Sequence, residues 1–438
     1  MPQPATVIVV GAGLAGLACA VHLHRAGVAV RVLEASDGVG GRIRTDLVDG
    51  FRLDRGYQVF NTGYPEAARV LDIPALRLRP FTSGVIVFRD GRHERVTLPW
   101  RHPRQALSGL FARVGTPVDK AVLAALTTRD LLLPDSLVRR RGGAERTTEE
   151  ELRHWGASPE VVENLFRPFL AGVVLERELE TSGRIFHLFW RSFVRGTIGL
   201  PALGMGRIPE QLADRLPPDA VRLETSVGAL TPTGVALDGG GGMGGEMEAS
   251  AVVVAADPAT AGRLLPGLPV PAMRPVTTFY HAAPASPLGE PTQIVDAEGV
   301  ITDTIVVTDA APEYSSDGRA LISTSVLGVH GDRDEPRVRD RLARIYGDTS
   351  SWEHVATYAI EAALPAMPPP MPLRRPVRLP AEGPGARRYV CGDHRDTGSI
   401  QGALVSGRRA ARAVLEDLRA RPAAAGEGPA ARDRAGQA

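Results

Sequence analysis

A chain of 438 residues, 43% hydrophobic and 23% charged, is too long for one ordinary hydrophobic core and suits two globular domains. Its 51 basic and 50 acidic residues leave a net charge of +1, which excludes a strong global field for nucleic acid or an anionic bilayer and leaves room only for local, peripheral membrane contact. Two cysteines, Cys19 and Cys391, are too few for a disulfide framework and lack metal-ligand spacing, so the sequence predicts no metal site and a reducing, cytoplasmic setting.

The chain opens on an apolar run broken by glycines and without a basic leader, which reads as a strand and turn and not as a signal peptide. No stretch of about 18 residues is apolar enough to span a bilayer. Thr6–Val10 is a β-branched run of the kind buried in parallel sheets. A glycine turn follows, then a helical stretch from Leu14 to Arg25, then a second strand from Val28 to Leu33 that ends in Glu34. In the turn, Gly11, Gly13 and Gly16 form G-x-G-x-x-G. The first glycine permits the tight turn, the second lets backbone approach a pyrophosphate, and the third allows close helix–strand packing. The helix N-terminus beyond them presents free amides and a positive dipole end. Glu34, 18 residues past Gly16, is placed to accept hydrogen bonds from ribose hydroxyls. Gly40-Gly41-Arg42 then puts a loop and a cation beside the same pyrophosphate.

Residues 64–200 form a first excursion. It holds a hairpin turning at Asp90-Gly91 and several amphipathic helices, with starts marked by a Thr148…Glu151 capping-box spacing and by Ser158-Pro159. Phe186, Phe189, Trp190 and Phe193 recur on one helical face, and Phe166 and Phe169 precede them. This stripe reads either as helix packing or as the lining of a tunnel for a lipophilic substrate. Residues 219–257 read as strand, hairpin and strand around a glycine-rich turn. A second excursion over 270–375 is mostly strand, with one helix near 334–346. Residues 388–418 return as a strand, a loop and a helix that Ser399 caps, beginning at Ile400-Gln401. The last 18 residues read as a disordered tail.

The expected fold is therefore α/β: a discontinuous Rossmann-like dinucleotide-binding domain (1–63, 201–269 and 376–420) with a mixed α+β substrate domain formed by two insertions (64–200 and 270–375), and a tail over 421–438.

With V-x-G-A-G-L-A-G-L at 9–17, L-E-A at 33–35, G-G-R-x-x-T at 40–45, L-D-x-G at 53–56, V-V-V-A-A-D-P at 252–258 and G-D-x(5)-S-I-Q-G-A-x-x-S-G at 392–407, the chain resembles the FAD-dependent superfamily that joins flavin amine oxidases, protoporphyrinogen oxidases and phytoene-type desaturases. The order and spacing of these motifs cover essentially the whole chain. The resemblance implies FAD, held without a covalent link because no cysteine sits in the pattern that carries one in some amine oxidases. It implies cofactor contacts from Gly11, Gly13, Ala15 and Gly16, from Glu34 and Ala35, and from Gly40, Gly41 and Arg42. Gly56 and Tyr57 would lie by the isoalloxazine, with Asp54 and Arg55, and the Val227 backbone by the adenine edge. From the C-terminal motif come Gly392, Asp393, Ser399, Ile400, Gln401 and Ala403.

Amine oxidases of this superfamily usually carry a lysine in a substrate-domain strand. The matching stretch here, 275–280, has none, and Thr278 takes the place. Lys120, the only lysine in the chain, falls in an amphipathic helix and does not substitute for it. No aromatic pair precedes the GD motif. His394 and Gln58 are the other weak candidates for a role in the chemistry, which in flavin oxidation needs no dedicated acid or base. The expectation is an FAD-dependent oxidoreductase that takes hydride from a hydrophobic small molecule and passes electrons to oxygen, a quinone or another acceptor. A flavin amine oxidase, a flavin-dependent isomerase and a non-catalytic flavin-binding protein are the alternatives. No residue is evident that would partner a substrate ammonium, and no module for DNA or RNA is present.

Glu34→Ala should weaken FAD retention about ten- to hundredfold, since each charge-assisted bond to ribose contributes roughly 1.5–3 kcal/mol. Flavin fluorescence measures this directly. Equal affinity in the variant would show that Glu34 does not face the ribose.

Overall fold

The structure, a computed structural model, describes residues 6–56, 59–97, 115–133, 144–238, 245–380 and 385–420. The 421–438 tail, the 239–244 glycine turn, Tyr57 and Gln58 lie outside these. Thr6–Val10 is the central strand of a five-stranded parallel sheet, ordered Val221–Arg222, Ala29–Leu33, Thr6–Val10, Ala251–Val254, Arg387–Val390. Alternate side chains serve opposite faces. Val7, Val9, Val32 and Val253 pack under the helices Leu14–Arg25 and Ile400–Arg419. Ile8, Val10, Val252 and Val254 pack under a three-stranded antiparallel sheet (Val227–Thr231, Gly234–Leu237, Glu246–Glu248) and the helix Pro258–Leu264. Burial on both faces is why Thr6–Val10 and Ala251–Val254, at the middle of the sheet, read as apolar runs. Among the described residues no group of His, Cys, Asp and Glu could hold a metal ion.

The two excursions meet in one seven-stranded mixed sheet. Its order is Glu353–Pro365, Met273–Ala283, Ala320–Leu327, Asp303–Val306, Gln293–Asp296, Gly84–Arg89, Arg92–Thr97. The last two form the expected hairpin. Asp90 and Gly91 both have positive φ, +50° and +70°, and Arg89 pairs with Arg92 across a two-residue turn. The helix Glu335–Tyr346 covers the outer face through Val338, Leu342 and Ile345. A helical layer, Pro117–Leu132, Thr148–His154, Arg167–Val174 and Gly183–Arg195, covers the inner face at its Gly84–Arg89 end. Pro168 has no amide to continue an α ladder, and the chain reaches Arg167–Val174 through a π turn at Val162–Phe166.

One expected helix start is corrected. The capping box is Thr147 with Glu150, one residue earlier than the Thr148…Glu151 spacing. Both pairs satisfy the pattern, but the Thr148 hydroxyl donates to Thr181 O at 2.7 Å and Glu151 receives the Trp155 indole N–H at 3.0 Å. Tertiary partners chose between two locally equivalent caps. The Ser158-Pro159 start is observed, with Ser158 Oγ accepting from Val161 N.

Asp54, at the end of the short strand Phe51–Asp54, ties that strand to the mixed sheet. Its buried carboxyl accepts from the Thr45 hydroxyl, from Met205 N at 2.9 Å and from Tyr314 OH at 2.8 Å, while its carbonyl accepts from Tyr280 OH on the mixed sheet at 2.8 Å. Burial raises its pKa to about 6, against the pull of those donors. A native pKa above the unfolded one means that the folded state holds the proton more tightly. The contribution of Asp54 to stability is thus fullest below about pH 4 and is lost as pH rises to about 6, a change of roughly 3 kcal/mol. Asp54→Asn should flatten the dependence of melting temperature on pH between 4 and 6. An unchanged slope would show that Asp54 does not titrate there.

Candidate active site

The glycine turn opens on a cavity of about 910 Å³ that runs from the parallel sheet to the helical layer. Gly13 caps Leu14–Arg25 without any side-chain hydrogen bond, and Gly13, Leu14 and Ala15 line the cavity, as does Gly11. A Cβ built on Gly13 meets nothing within 4 Å, so bare backbone faces open space there. Gly16 acts differently. Its Cβ would lie 2.0 Å from Gly11 O, and it does not line the cavity: its role is close packing of helix on strand.

Glu34 closes one side. Its carboxylate accepts from Ala12 N at 2.6 Å and from Ser36 N and Oγ at 3.0 and 2.7 Å, which fixes it against the glycine turn. Ala35, Gly40, Gly41 and Val227 line the same region, and Gly40 N donates to Ala12 O at 2.9 Å. Arg42 spans the cavity wall, donating to Asp393 Oδ1 at 2.7 Å and Ala363 O at 2.8 Å. Sequence reasoning placed Arg42 by a pyrophosphate and missed this pair, which joins segments 351 residues apart. Ser399 Oγ accepts from Gly402 N at 3.0 Å and so caps Ile400–Arg419; Gly392, Asp393, Ser399, Ile400 and Ala403 line the cavity. Two helix N-termini therefore converge on one space, each with a positive dipole end.

Besides Gly16, four expected residues lie off the cavity: the Asp54 carboxyl is buried among Thr45, Met205 and Tyr314, and three others lie elsewhere. Gln401 turns away, its Oε1 accepting from Glu66 N at 3.0 Å, because the helix carries it to the face opposite Ala403. His394 is buried beside Asp393 without lining the cavity, and burial pushes its pKa down to about 4, so its imidazole is neutral near pH 7. Thr278 is buried in the mixed sheet between Ser325 and Tyr358 and does not line the cavity, although Val276, two residues earlier, does. Gly56 and Arg55 line it; Tyr57 and Gln58 are outside the described residues.

On the substrate side the aromatic stripe divides. Phe186 is core, packed on Phe166 and Trp190, whereas Phe189, Trp190, Phe193, Phe166 and Phe169 line the cavity. Phe169 and Phe193 meet edge to face at 5.5 Å. The stripe is thus part helix packing and part cavity lining. Lys120, set aside on sequence grounds, also lines the cavity from the helix Pro117–Leu132. Asp303 was missed. It is 2% exposed, lines the cavity, and burial raises its pKa to about 7 although Gln293 and Ser325 hydrogen-bond it. Its strand, T-D-T-I-V-V, reads as core, and no local motif marks the aspartate. Asp303 thus places on the cavity a buried carboxyl that the sequence did not point to.

A glycine backbone with room beside it, two helix N-termini, and carboxylates at Glu34 and Asp393 along one cavity suit an elongated dinucleotide with a pyrophosphate at its middle. Residues 14–415 match the family model of flavin-containing amine oxidoreductases. The chain is 29% identical to hydroxysqualene dehydroxylase from Rhodopseudomonas palustris, over 95% of this chain and 99% of that one. It is 30% identical to putrescine oxidase from Kocuria rosea, over 53% of this chain and 50% of that one. Among solved structures, cyclohexylamine oxidase from Brevibacterium oxydans superimposes with a TM-score of 0.69 at 19% identity, covering 95% of this chain and all of that one, which shows a shared fold. The chain belongs to the flavin-containing amine oxidoreductase family and is an FAD-dependent oxidoreductase.

Proposed function

We propose that the protein binds FAD without a covalent link and uses it to remove a hydride from an apolar small molecule. The observation that carries this reading is the aromatic wall of Phe166, Phe169, Phe189, Trp190 and Phe193 on the same cavity as Gly13. FAD, when bound, supplies the acceptor for the hydride. The chain's part is to bind, orient and exclude water. Backbone at Gly13 and the uncapped first turn of Leu14–Arg25 would hold the pyrophosphate, Glu34 the ribose, and Asp393, braced by Arg42, the ribityl chain. The Ser399-capped helix end would favour negative charge where the flavin is reduced. Cys19 and Cys391 are buried and neither lines the cavity, which supports non-covalent binding.

For the substrate, apolar burial gains roughly 25 cal/mol for each Å² removed from water, enough to hold a long lipophilic molecule without an ion pair. The near full-length relative named for hydroxysqualene favours the same class. Electrons would pass on to oxygen, a quinone or another acceptor, and rates of reoxidation by each separate them. A second reading, oxidation of an amine, is favoured by the buried Asp303 carboxyl and by the match to putrescine oxidase.

Acid precipitation of the yellow protein should leave FAD in the supernatant; flavin retained in the pellet would contradict non-covalent binding. Under anaerobic conditions an isoprenoid lipid should bleach the flavin while benzylamine and putrescine do not. Rapid bleaching by either amine would replace the first reading with the second.

A further inference from the structure

At the far end of the cavity the mixed sheet presents a polar patch in an apolar wall. Asp303 lies directly across from Ser325 on one neighbouring strand and from Val295 on the other. Gln293 is two residues before Val295, on the same face, and Val85 is its partner in the next strand. Gln293, Asp303 and Ser325 therefore point the same way by strand alternation, toward the helical layer, and all three line the cavity. The carboxyl has room because residue 172 of the facing helix is glycine: a Cβ there would lie 2.8 Å from Asp303 Oδ2. Around the patch the lining is Val85, Leu165, Phe169, Val173 and Val276.

A carboxyl group in such a place is costly unless it is paired or protonated. Among the described residues no ion pair includes Asp303. Arg274, on the same sheet, is engaged by Glu176 at 2.5 Å. Burial keeps the Asp303 carboxyl in its acid form up to about pH 7. It then both donates and accepts, as do the serine hydroxyl and the glutamine amide. A ligand that matches three such groups offers both a donor and an acceptor, as a hydroxyl does. An ammonium offers donors only and would leave the donors of all three groups unmatched.

We propose that Gln293, Asp303 and Ser325 form a hydroxyl-binding subsite, and that the substrate is an aliphatic alcohol whose apolar body lies along the aromatic wall. The inference rests on the reading of the cavity as a site for apolar molecules and adds the functional group that orients them.

Isothermal titration of the FAD-loaded protein at pH 7 with 1-dodecanol, its methyl ether and dodecylamine tests the subsite. The ether keeps the chain length and the acceptor but cannot donate. The alcohol should bind about tenfold tighter than the ether, the scale of one buried hydrogen bond. Asp303→Leu should bring that ratio close to one, and Asp303→Asn, which still donates and accepts, should keep most of it. If Asp303→Leu does not fold, Ser325→Ala combined with Gln293→Leu should erode the same ratio. Equal binding of alcohol and ether by the parent protein, or a ratio that survives in Asp303→Leu, would overturn the hydroxyl subsite alone. Tighter binding of the amine than of the alcohol, lost in Asp303→Asn, would make it an ammonium site. Binding of none of the three probes would overturn the apolar-cavity reading along with it.

Discussion

Two helices cross where one of them has no side chain. A Cβ on Gly407 would lie 2.2 Å from Ala15 O and 3.0 Å from Cys19 N, so Ile400–Arg419 rests directly on the backbone of Leu14–Arg25. Any other residue would push the helices apart or rotate them. Because they touch here, the first turns at Gly13 and at Ser399 reach the same cavity. Residues nearly four hundred positions apart are brought to one cavity by this contact.

The charge pattern around those helix ends is consistent with their dipoles. The two N-termini provide positive potential, and the two carboxylates, Glu34 and Asp393, are each already bound to protein donors: Glu34 to Ala12 N and Ser36, Asp393 to Arg42 and His394 N. Such carboxylates are held in position before a ligand arrives, so less ordering entropy is lost when one binds. Arg42 has a double role, since the same guanidinium that faces the cavity also ties the Gly40–Arg42 loop to the C-terminal segment.

The mixed sheet buries polar side chains among its apolar ones, Thr278, Asp303, Ser323 and Ser325 among them. Its inner face is covered at one end by the parallel-sheet half, through Tyr280 and Ile305, and at the other by the helical layer, through Val87 and Val295. The cavity occupies the seam, where neither cover is complete. Aromatic residues on Gly183–Arg195, Arg167–Val174 and the π turn line the helical side, and Gln293, Asp303 and Ser325 line the sheet side.

By itself the sequence determined what local chemistry dictates. The glycine fingerprint, the strand runs around it, the turn at Asp90-Gly91, the caps at Ser158 and Ser399 and the α/β architecture with two excursions are all written in short spacings, because turns, caps and periodicity act within a few residues. Long-range placement was decided only by the tertiary structure. Thr147 and Thr148 are equivalent as caps until Thr181 claims one of them. The stripe at Phe186–Phe193 is one helical face in sequence, and packing on Phe166 is what turns Phe186 into core while its neighbours line the cavity. Gln401, inside a matching motif, was carried off the cavity by the rotation of its helix. Asp303 was illegible for the opposite reason: it lies in a strand that looks like core, and its meaning depends on Gly172, Ser325 and Gln293, which only the packing of separate elements brings within reach.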